Sequence, residues 1–220
     1  MRLERPTSVA VFSFNMSGKF ILGTKGKMTQ VFDESGVVQP ATIVYAAPLT
    51  VTQVKTTERD GYAAVQVGAG TRKEKNLSGA VKGHLKDLGS FMHLREERGV
   101  EGEFTRGDKI ELSVFAPGDV VEVSSTSKGK GFQGVVKRHG FKGGPRSHGQ
   151  KNKERAPGSI GGGGRAGGRV VKGMRMAGRM GGERVTVRNL KVLQVDSASN
   201  ILLISGAIPG RPGTLVEIRG

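Results

Sequence analysis

The chain has 220 residues, a formal net charge of +16 and no cysteine. The lack of cysteine excludes disulfides, a thiol nucleophile and a cysteine-ligated metal, and it fits a reducing compartment. No apolar run approaches the roughly 20 residues that a membrane span requires. This length predicts one domain, or one domain with an appendage.

Residues 1–15 show no periodicity, and their short apolar patch at 9–12 is broken by Ser13 and Asn15. This pattern makes a poor signal peptide. We therefore expect the protein to be cytoplasmic. Residues 1–15 are expected to form a disordered N-terminal tail, and the alternative is that the protein starts at Met16.

Short pieces rich in Val, Ile and Thr begin at residue 20, and turn signals separate them about every ten residues. This rhythm predicts a small β-barrel or sandwich. Strands are expected over 110–115 and 120–123, and the β pattern resumes after residue 184. The globular domain is thus expected to comprise residues 16–123 and 185–220.

One stretch departs from the β rhythm. Leu77, Val81, Leu85 and Leu88 lie at helical spacing, and Ser78 is a candidate N-cap residue. The sequence therefore predicts a minor helical piece over residues 78–88 in a mainly β fold.

Residues 124–184, here called the basic segment, hold 15 Lys or Arg, two acids and 18 of the 36 glycines. Their apolar residues are too sparse for a core. Ordering 61 residues costs about 60–120 kcal/mol of backbone entropy, which self-burial cannot recover. A polyanion such as RNA could supply the partner surface. Composition alone leaves a flexible basic linker open, but the β pattern on both sides makes this segment an insertion, not a tail.

Residues 129–134 match the G-x-G-x-x-G pattern of dinucleotide-binding proteins. That motif needs a helix opening at its glycines, and only five residues separate Gly134 from Gly140. Neither the four His nor the acids show metal-ligand or catalytic spacing. We therefore expect no enzyme activity, no metal site and no small-molecule substrate.

Several side chains in the basic segment have two interpretations. Phe132 and Phe141 would stack on bases or pack at the root of the segment. His139 and His148 lie among cations that disfavour a bound metal, so we expect them to donate to RNA or to stack on it. The apolar side chains Met174, Met176 and Met180 would contact RNA sugars or the barrel edge.

Four stretches carry a resemblance to a known family. They are GDVVEVSSTSKGKGFQGVVKRHGF (118–141), SHGQKNKERAPGSIG (147–161), RVVKGMRMAGRMGGERVTVRNLKV (169–192) and ILGTKGKMTQVFDESG (21–36). Together they resemble the bacterial-type family of large-subunit ribosomal protein three, over about residues 16–220.

The resemblance implies a small β-barrel of the translation-protein type with a long irregular extension rich in Gly, Lys and Arg. It implies direct binding to large-subunit (23S-type) ribosomal RNA early in assembly, with the extension reaching toward the peptidyl transferase centre. The expected partners are this RNA and neighbouring large-subunit proteins, with no membrane contact and no homo-oligomer. No cofactor is expected, apart from structural Mg²⁺ that belongs to the RNA.

The residues expected to bind RNA are mostly cations of the basic segment, and the resemblance places 157–161 at its tip. The RNA-binding set is Lys25, Lys27, Lys128, Lys130, Phe132, Lys137, Arg138, His139, Phe141, Lys142, Arg146, His148, Lys151, Lys153, Arg155, Arg165, Arg169, Lys172, Arg175, Arg179 and Arg184, and the tip is Pro157, Gly158, Ser159, Ile160 and Gly161.

Two departures from the family pattern concern local geometry. Residues 25–29 read Lys-Gly-Lys-Met-Thr, where the family has Lys-apolar-Gly-Met-Thr, and the glycine run 162–168 is about one residue longer than usual. Gly162 stands where some members carry a methylated Gln, so that modification is not expected. The alternative function is a nonspecific architectural or chaperone-like nucleic-acid-binding protein.

Overall fold

The computed structural model describes residues 18–99, 104–161 and 167–220, so the expected tail at 1–15 lies outside the described residues. Twelve strands and three short helices occur within the described residues. They are β1 (Phe20–Phe32), β2 (Val38–Tyr45), β3 (Leu49–Lys55), α1 (Thr57–Asp60), β4 (Ala64–Thr71), α2 (Gly79–His84), β5 (Phe91–Glu97), β6 (Lys109–Ile110), β7 (Val120–Thr126), β8 (Gly131–Gln133), α3 (Val135–His139), β9 (Gly178–Met180), β10 (Arg184–Asp196), β11 (Ile201–Ser205) and β12 (Leu215–Arg219). Two 3₁₀ turns cover Glu74–Asn76 and Leu112–Val114.

Six strands close into an antiparallel barrel in the order β1-β12-β7-β10-β11-β2. Its strands alternate between core and solvent, as β7 shows: Val121 and Val123 are buried, whereas Val120 is exposed. This alternation is what a sheet with one buried face requires. The predicted mainly β fold with a small closed barrel is therefore confirmed.

A four-stranded sheet, in the order β5-β4-β3-β6, packs on the barrel. Leu49, Val67 and Ile110 of this sheet belong to the same buried cluster as the barrel residues Ile21 and Ile218. The globular part thus has one hydrophobic core, and burial of that apolar surface is its main source of stability.

The helix predicted over 78–88 is shorter in the structure. Ser78 is the N-cap, and its Oγ accepts a 3.4 Å hydrogen bond from the Val81 amide. The helix ends at His84, directly after Gly83, which is a poor helix former, and Asp87 beyond it adopts a left-handed φ of 71°. Leu85, just beyond the helix, still reaches the protein interior.

The strand predicted over 110–115 is wrong. Only β6 is extended there, and a 3₁₀ turn follows it. Leu112 and Phe115 are both buried, and a 3₁₀ turn places residues three apart on one side. A continuous strand would have directed these two side chains to opposite faces.

Residues 25–29, whose pattern departs from the family, lie within β1. The β1–β2 register shifts between Lys25 and Met28, which marks a β-bulge. A Cβ on Gly26 would lie 3.0 Å from the Ile43 carbonyl oxygen and 2.9 Å from the Tyr45 ring. Glycine therefore permits the close approach of the two strands at this bulge.

We expect Val123→Ala to lower the free energy of unfolding by about 2 kcal/mol, because it deletes buried methyl groups and leaves a cavity. The matched change Val120→Ala, on the exposed face of the same strand, should cost less than about 0.5 kcal/mol. Urea unfolding of the two variants measures the difference. Equal losses would contradict the assignment of faces on β7.

Candidate nucleic-acid interface

The basic segment leaves the barrel and returns to it at adjacent positions. Thr126 at the end of β7 is paired with Arg184 at the start of β10. Beyond this pair, the Ser127 amide donates to the Glu183 carbonyl at 2.8 Å, and the Lys130 amide donates to the Met180 carbonyl at 2.9 Å. Strands β8 and β9 then pair as a two-stranded ribbon. The first limb of the segment, which leaves the barrel after Thr126, and the return limb, which ends at Arg184, therefore run side by side from the barrel outward.

Gly181 is required where the limbs approach each other most closely. It adopts a φ of 72°, and an added Cβ would lie 2.1 Å from the Lys128 carbonyl oxygen. That distance is far inside van der Waals contact, and the obstructing atom is backbone. A side chain at this position would force the two limbs apart.

Helix α3 is fastened to the return limb by polar side chains. Arg138 Nη1 donates to the Met176 carbonyl at 2.8 Å, and His139 Nε2 lies 3.0 Å from the same oxygen. A Cβ on Gly178 would lie 2.7 Å from Arg138 Nη1, so glycine makes room for the guanidinium. Among the described residues from 127 to 183, Val135 alone is buried. Polar contacts and backbone pairing, not a core, shape this part of the segment.

The outer part of the first limb folds back on itself. The Gly144 amide donates to the Glu154 carbonyl at 2.8 Å, and the Arg146 guanidinium pairs with the Glu154 carboxylate at 2.6 Å. Gly143 has a φ of 77°, and its Cβ would lie 2.2 Å from the Glu154 carbonyl oxygen. One of the two acids of the segment is thus used internally, to close a loop.

Most of the predicted RNA-binding cations lie at the surface. In the described part of the basic segment, every Lys and Arg is exposed except Arg138, which is half-buried with His139. Lys27 is exposed and Lys25 half-buried on β1, while Arg165 lies outside the described residues. The exposed cations are Lys128, Lys130, Lys137, Lys142, Arg146, Lys151, Lys153, Arg155, Arg169, Lys172, Arg175, Arg179 and Arg184, with His148 exposed beside them.

The predicted tip residues are also accessible. Ile160 is half-buried, and its four companions Pro157, Gly158, Ser159 and Gly161 are exposed.

The structure separates some interpretations that the sequence left open. Phe132 is 76% exposed, so it does not pack at the root of the segment. Phe141 is half-buried, with its ring centroid 5.9 Å from that of His139. Met176 and Met180 are half-buried, whereas Met174 is exposed. Phe132 is therefore the aromatic ring most available for stacking on a base.

Ion pairs near the base of the segment were not foreseen from the sequence. Glu217 on β12 pairs with Arg184 and lies 2.9 Å from Arg95 of β5. Arg219 pairs with Glu97 at 2.7 Å. The hydrogen bond to Glu97 is the main cause that raises the pKa of Arg219. The Arg95–Glu217 and Arg219–Glu97 pairs link the four-stranded sheet to the barrel, and their partners are 122 positions apart, so the sequence gives no local signal for them.

No group of three or more His, Asp and Glu suited to holding a metal occurs among the described residues. Within the same ranges, no helix has the length and apolar character that crossing a bilayer requires.

Known proteins are similar to this chain over nearly its whole length. A profile of the family described as Ribosomal protein L3 matches residues 103–207. A protein of Acidothermus cellulolyticus named Large ribosomal subunit protein uL3 is 50% identical over 204 residues, which are 91% of this chain and 91% of that protein. The uL3 protein of Roseiflexus is 53% identical over 201 residues, covering 90% of this chain and 95% of its own length.

The fold and the site together define a closed β-barrel protein with a basic, glycine-rich insertion between two of its strands. The chain belongs to the ribosomal protein L3 family, of the bacterial type. Membership confirms the resemblance seen in the sequence and the expectation that the chain is not an enzyme. It also confirms the expected cytoplasmic, ribosome-associated location.

We expect Gly181→Ala to destabilise the base of the basic segment much more than Gly182→Ala does. Both glycines have a φ of 72°, but an added Cβ at Gly182 meets only the Arg179 guanidinium, at 3.7 Å. Gly182→Ala should thus cost about 1 kcal/mol of backbone strain, and Gly181→Ala should add a backbone clash to the same strain. Hydrogen exchange at the Lys130 amide measures the difference, and equal exchange in both variants would contradict the close approach of the limbs.

Proposed function

We propose that this chain is a structural constituent of the large ribosomal subunit that binds large-subunit ribosomal RNA directly. The observation that carries the proposal is the basic segment itself. It projects from the barrel as two paired limbs, it lacks a core, and almost all of its described cations are exposed. Family membership supports the ribosomal setting.

The electrostatics of the basic segment favour a polyanionic partner. Its formal charge is +13, whereas the other 159 residues together carry +3. Lys and Arg that meet phosphates release condensed counterions, and that release drives binding. The many glycines let the backbone approach RNA closely. We propose that residues 124–184 act as an RNA-penetrating extension and that the rest forms the globular domain that docks on the RNA surface.

We also propose when the chain binds the RNA and where the tip of its basic segment lies. Binding early in assembly suits a segment whose surface is complete only when RNA surrounds it. The tip at residues 157–161 would reach toward the peptidyl transferase centre, as the family resemblance implies. There the chain would position RNA without taking part in the chemistry.

The alternative, a nonspecific architectural or chaperone-like nucleic-acid binder, explains the charge but not its placement. A general condenser of nucleic acids would be expected to carry its charge on flexible tails. Here the charge is on an internal segment, and both of its ends are held by the β7–β10 pairing.

Sucrose-gradient fractionation of native lysate tests the proposal. We expect the chain to migrate with the large ribosomal subunit and to stay there through a high-salt wash, because a threaded segment cannot leave without disrupting the RNA around it. A free or messenger-RNA-associated distribution that dissolves in modest salt would favour the alternative.

Arg175→Glu should weaken binding to large-subunit RNA without lowering the melting temperature, because Arg175 is exposed and lies outside the core. If about seven cations of the segment meet phosphates, log affinity should fall against log salt with a slope of roughly −5 to −6, and the variant should reduce that slope by about 1. Filter binding over a salt series measures both quantities.

Lys75→Glu, an equally exposed charge reversal on the globular part, provides the matched control and should leave the slope unchanged. A wild-type slope near −1, or equal effects of the two variants, would contradict the role of the segment. A large drop in melting temperature for Arg175→Glu would mean that the return limb supports the barrel.

A further inference from the structure

A pocket of about 780 Å³ lies where the basic segment joins the barrel. The barrel contributes Lys25 and Met28 of β1 and the turn at 207–210. Both limbs of the segment contribute the rest, including Lys128 and Met180. The walls of the pocket thus come from both the barrel and the basic segment.

Positive charge is concentrated in the pocket. Its lining contains Lys25, Lys128, Lys130 and Arg138 against one acid, Glu183. Burial, and then the nearby charge of Lys128, lower the pKa of Lys25. Like charges held together in this way are relieved by an anion between them.

Two of these cations are already fixed in place. Lys25 Nζ donates to the carbonyls of Ile208 at 2.6 Å and Gly210 at 2.9 Å. An ammonium group has three donors, so one N–H of Lys25 is left for a ligand. Arg138 uses Nη1 on the Met176 carbonyl, and its guanidinium has further donors. Because neither head group must be ordered on binding, an anion there would bind at a lower entropic cost.

The lining of the pocket also contains apolar side chains. Met28 is 53% exposed although it sits on a barrel strand, and Met180, Ile208 and Pro209 lie near it in the lining. A bare inorganic anion would make no use of this surface. A nucleotide would, since its ribose and base are less polar than its phosphate.

We infer that this pocket, here called the junction pocket, binds a single nucleotide of an RNA strand, with the phosphate on the cations and the ribose and base against the methionines. The inference rests on the proposed function and deepens it. A nucleotide held there would contact the barrel and both limbs at once, and so would fix the direction in which the basic segment projects. Phosphate contacts commonly set orientation in this way.

The full-length chain and two variants test the inference. Lys128→Gln removes one cation from the junction pocket, and Lys151→Gln removes one exposed cation from the outer loop of the same segment. Binding to a large-subunit ribosomal RNA transcript is measured near physiological salt. We expect Lys128→Gln to weaken binding about tenfold, as for a charged hydrogen bond in a preformed site. Lys151→Gln should weaken it about threefold or less, as for a solvated surface contact.

A second measurement reports the location. In the wild type, RNA should slow hydrogen exchange at the Lys130 and Gly210 amides, which line the junction pocket from the segment and from the barrel, and in Lys128→Gln this protection should be lost. Adenosine monophosphate supplies the same chemistry from a free nucleotide. If it protects these amides fully and RNA does not, the ligand is a free nucleotide and the inference of an RNA strand is overturned.

The remaining outcomes are also decisive. If both variants lose equal affinity, or if neither RNA nor adenosine monophosphate protects the two amides, the junction pocket holds no nucleotide, although the proposed function stands. If the wild-type chain shows no salt-dependent binding to the transcript, the proposed function itself fails.

Discussion

The antiparallel pairing of β7 with β10 is the constraint on which the rest of the structure depends. It places Thr126 opposite Arg184, so a segment of more than fifty residues begins and ends at one point of the barrel. The entropy of closing a loop grows only slowly with its length, and the barrel therefore tolerates so long an insertion. The same pairing extends through the Ser127 amide into the β8–β9 ribbon, so the direction of the segment is inherited from the barrel.

Charge is distributed so that the globular part and the basic segment have different roles. On the globular part, acids such as Glu217 and Glu97 are paired with arginines that join the four-stranded sheet to the barrel. In the described part of the segment, Glu154 closes a loop, while Glu183 lies at the junction with the barrel. The cations of the segment therefore far outnumber its acids, and the proposed polyanionic partner would balance them.

Glycine and arginine act together at the base of the segment. Gly181 and Gly178 let the return limb approach the Lys128 backbone and the Arg138 guanidinium. Arg138 in turn holds the Met176 carbonyl. These contacts fix the structure at the base of the segment although the segment has no core. The junction pocket lies at this base. The cations of the outer loop are exposed, which fits a surface that a partner completes.

Much of this protein could be predicted from its sequence, because the signals concerned are local. Strand alternation and turn spacing indicated a mainly β fold, charge and glycine content marked residues 124–184, and the five residues after Gly134 left no room for a dinucleotide-binding helix. Only the tertiary structure decided the order of the barrel strands, the 3₁₀ turn that buries Leu112, and the contacts of Arg138 and Lys25. These depend on residues far apart in the chain, such as Lys25 and Ile208. Local periodicity carries no information about such pairs, since packing and register bring them together only when the barrel closes.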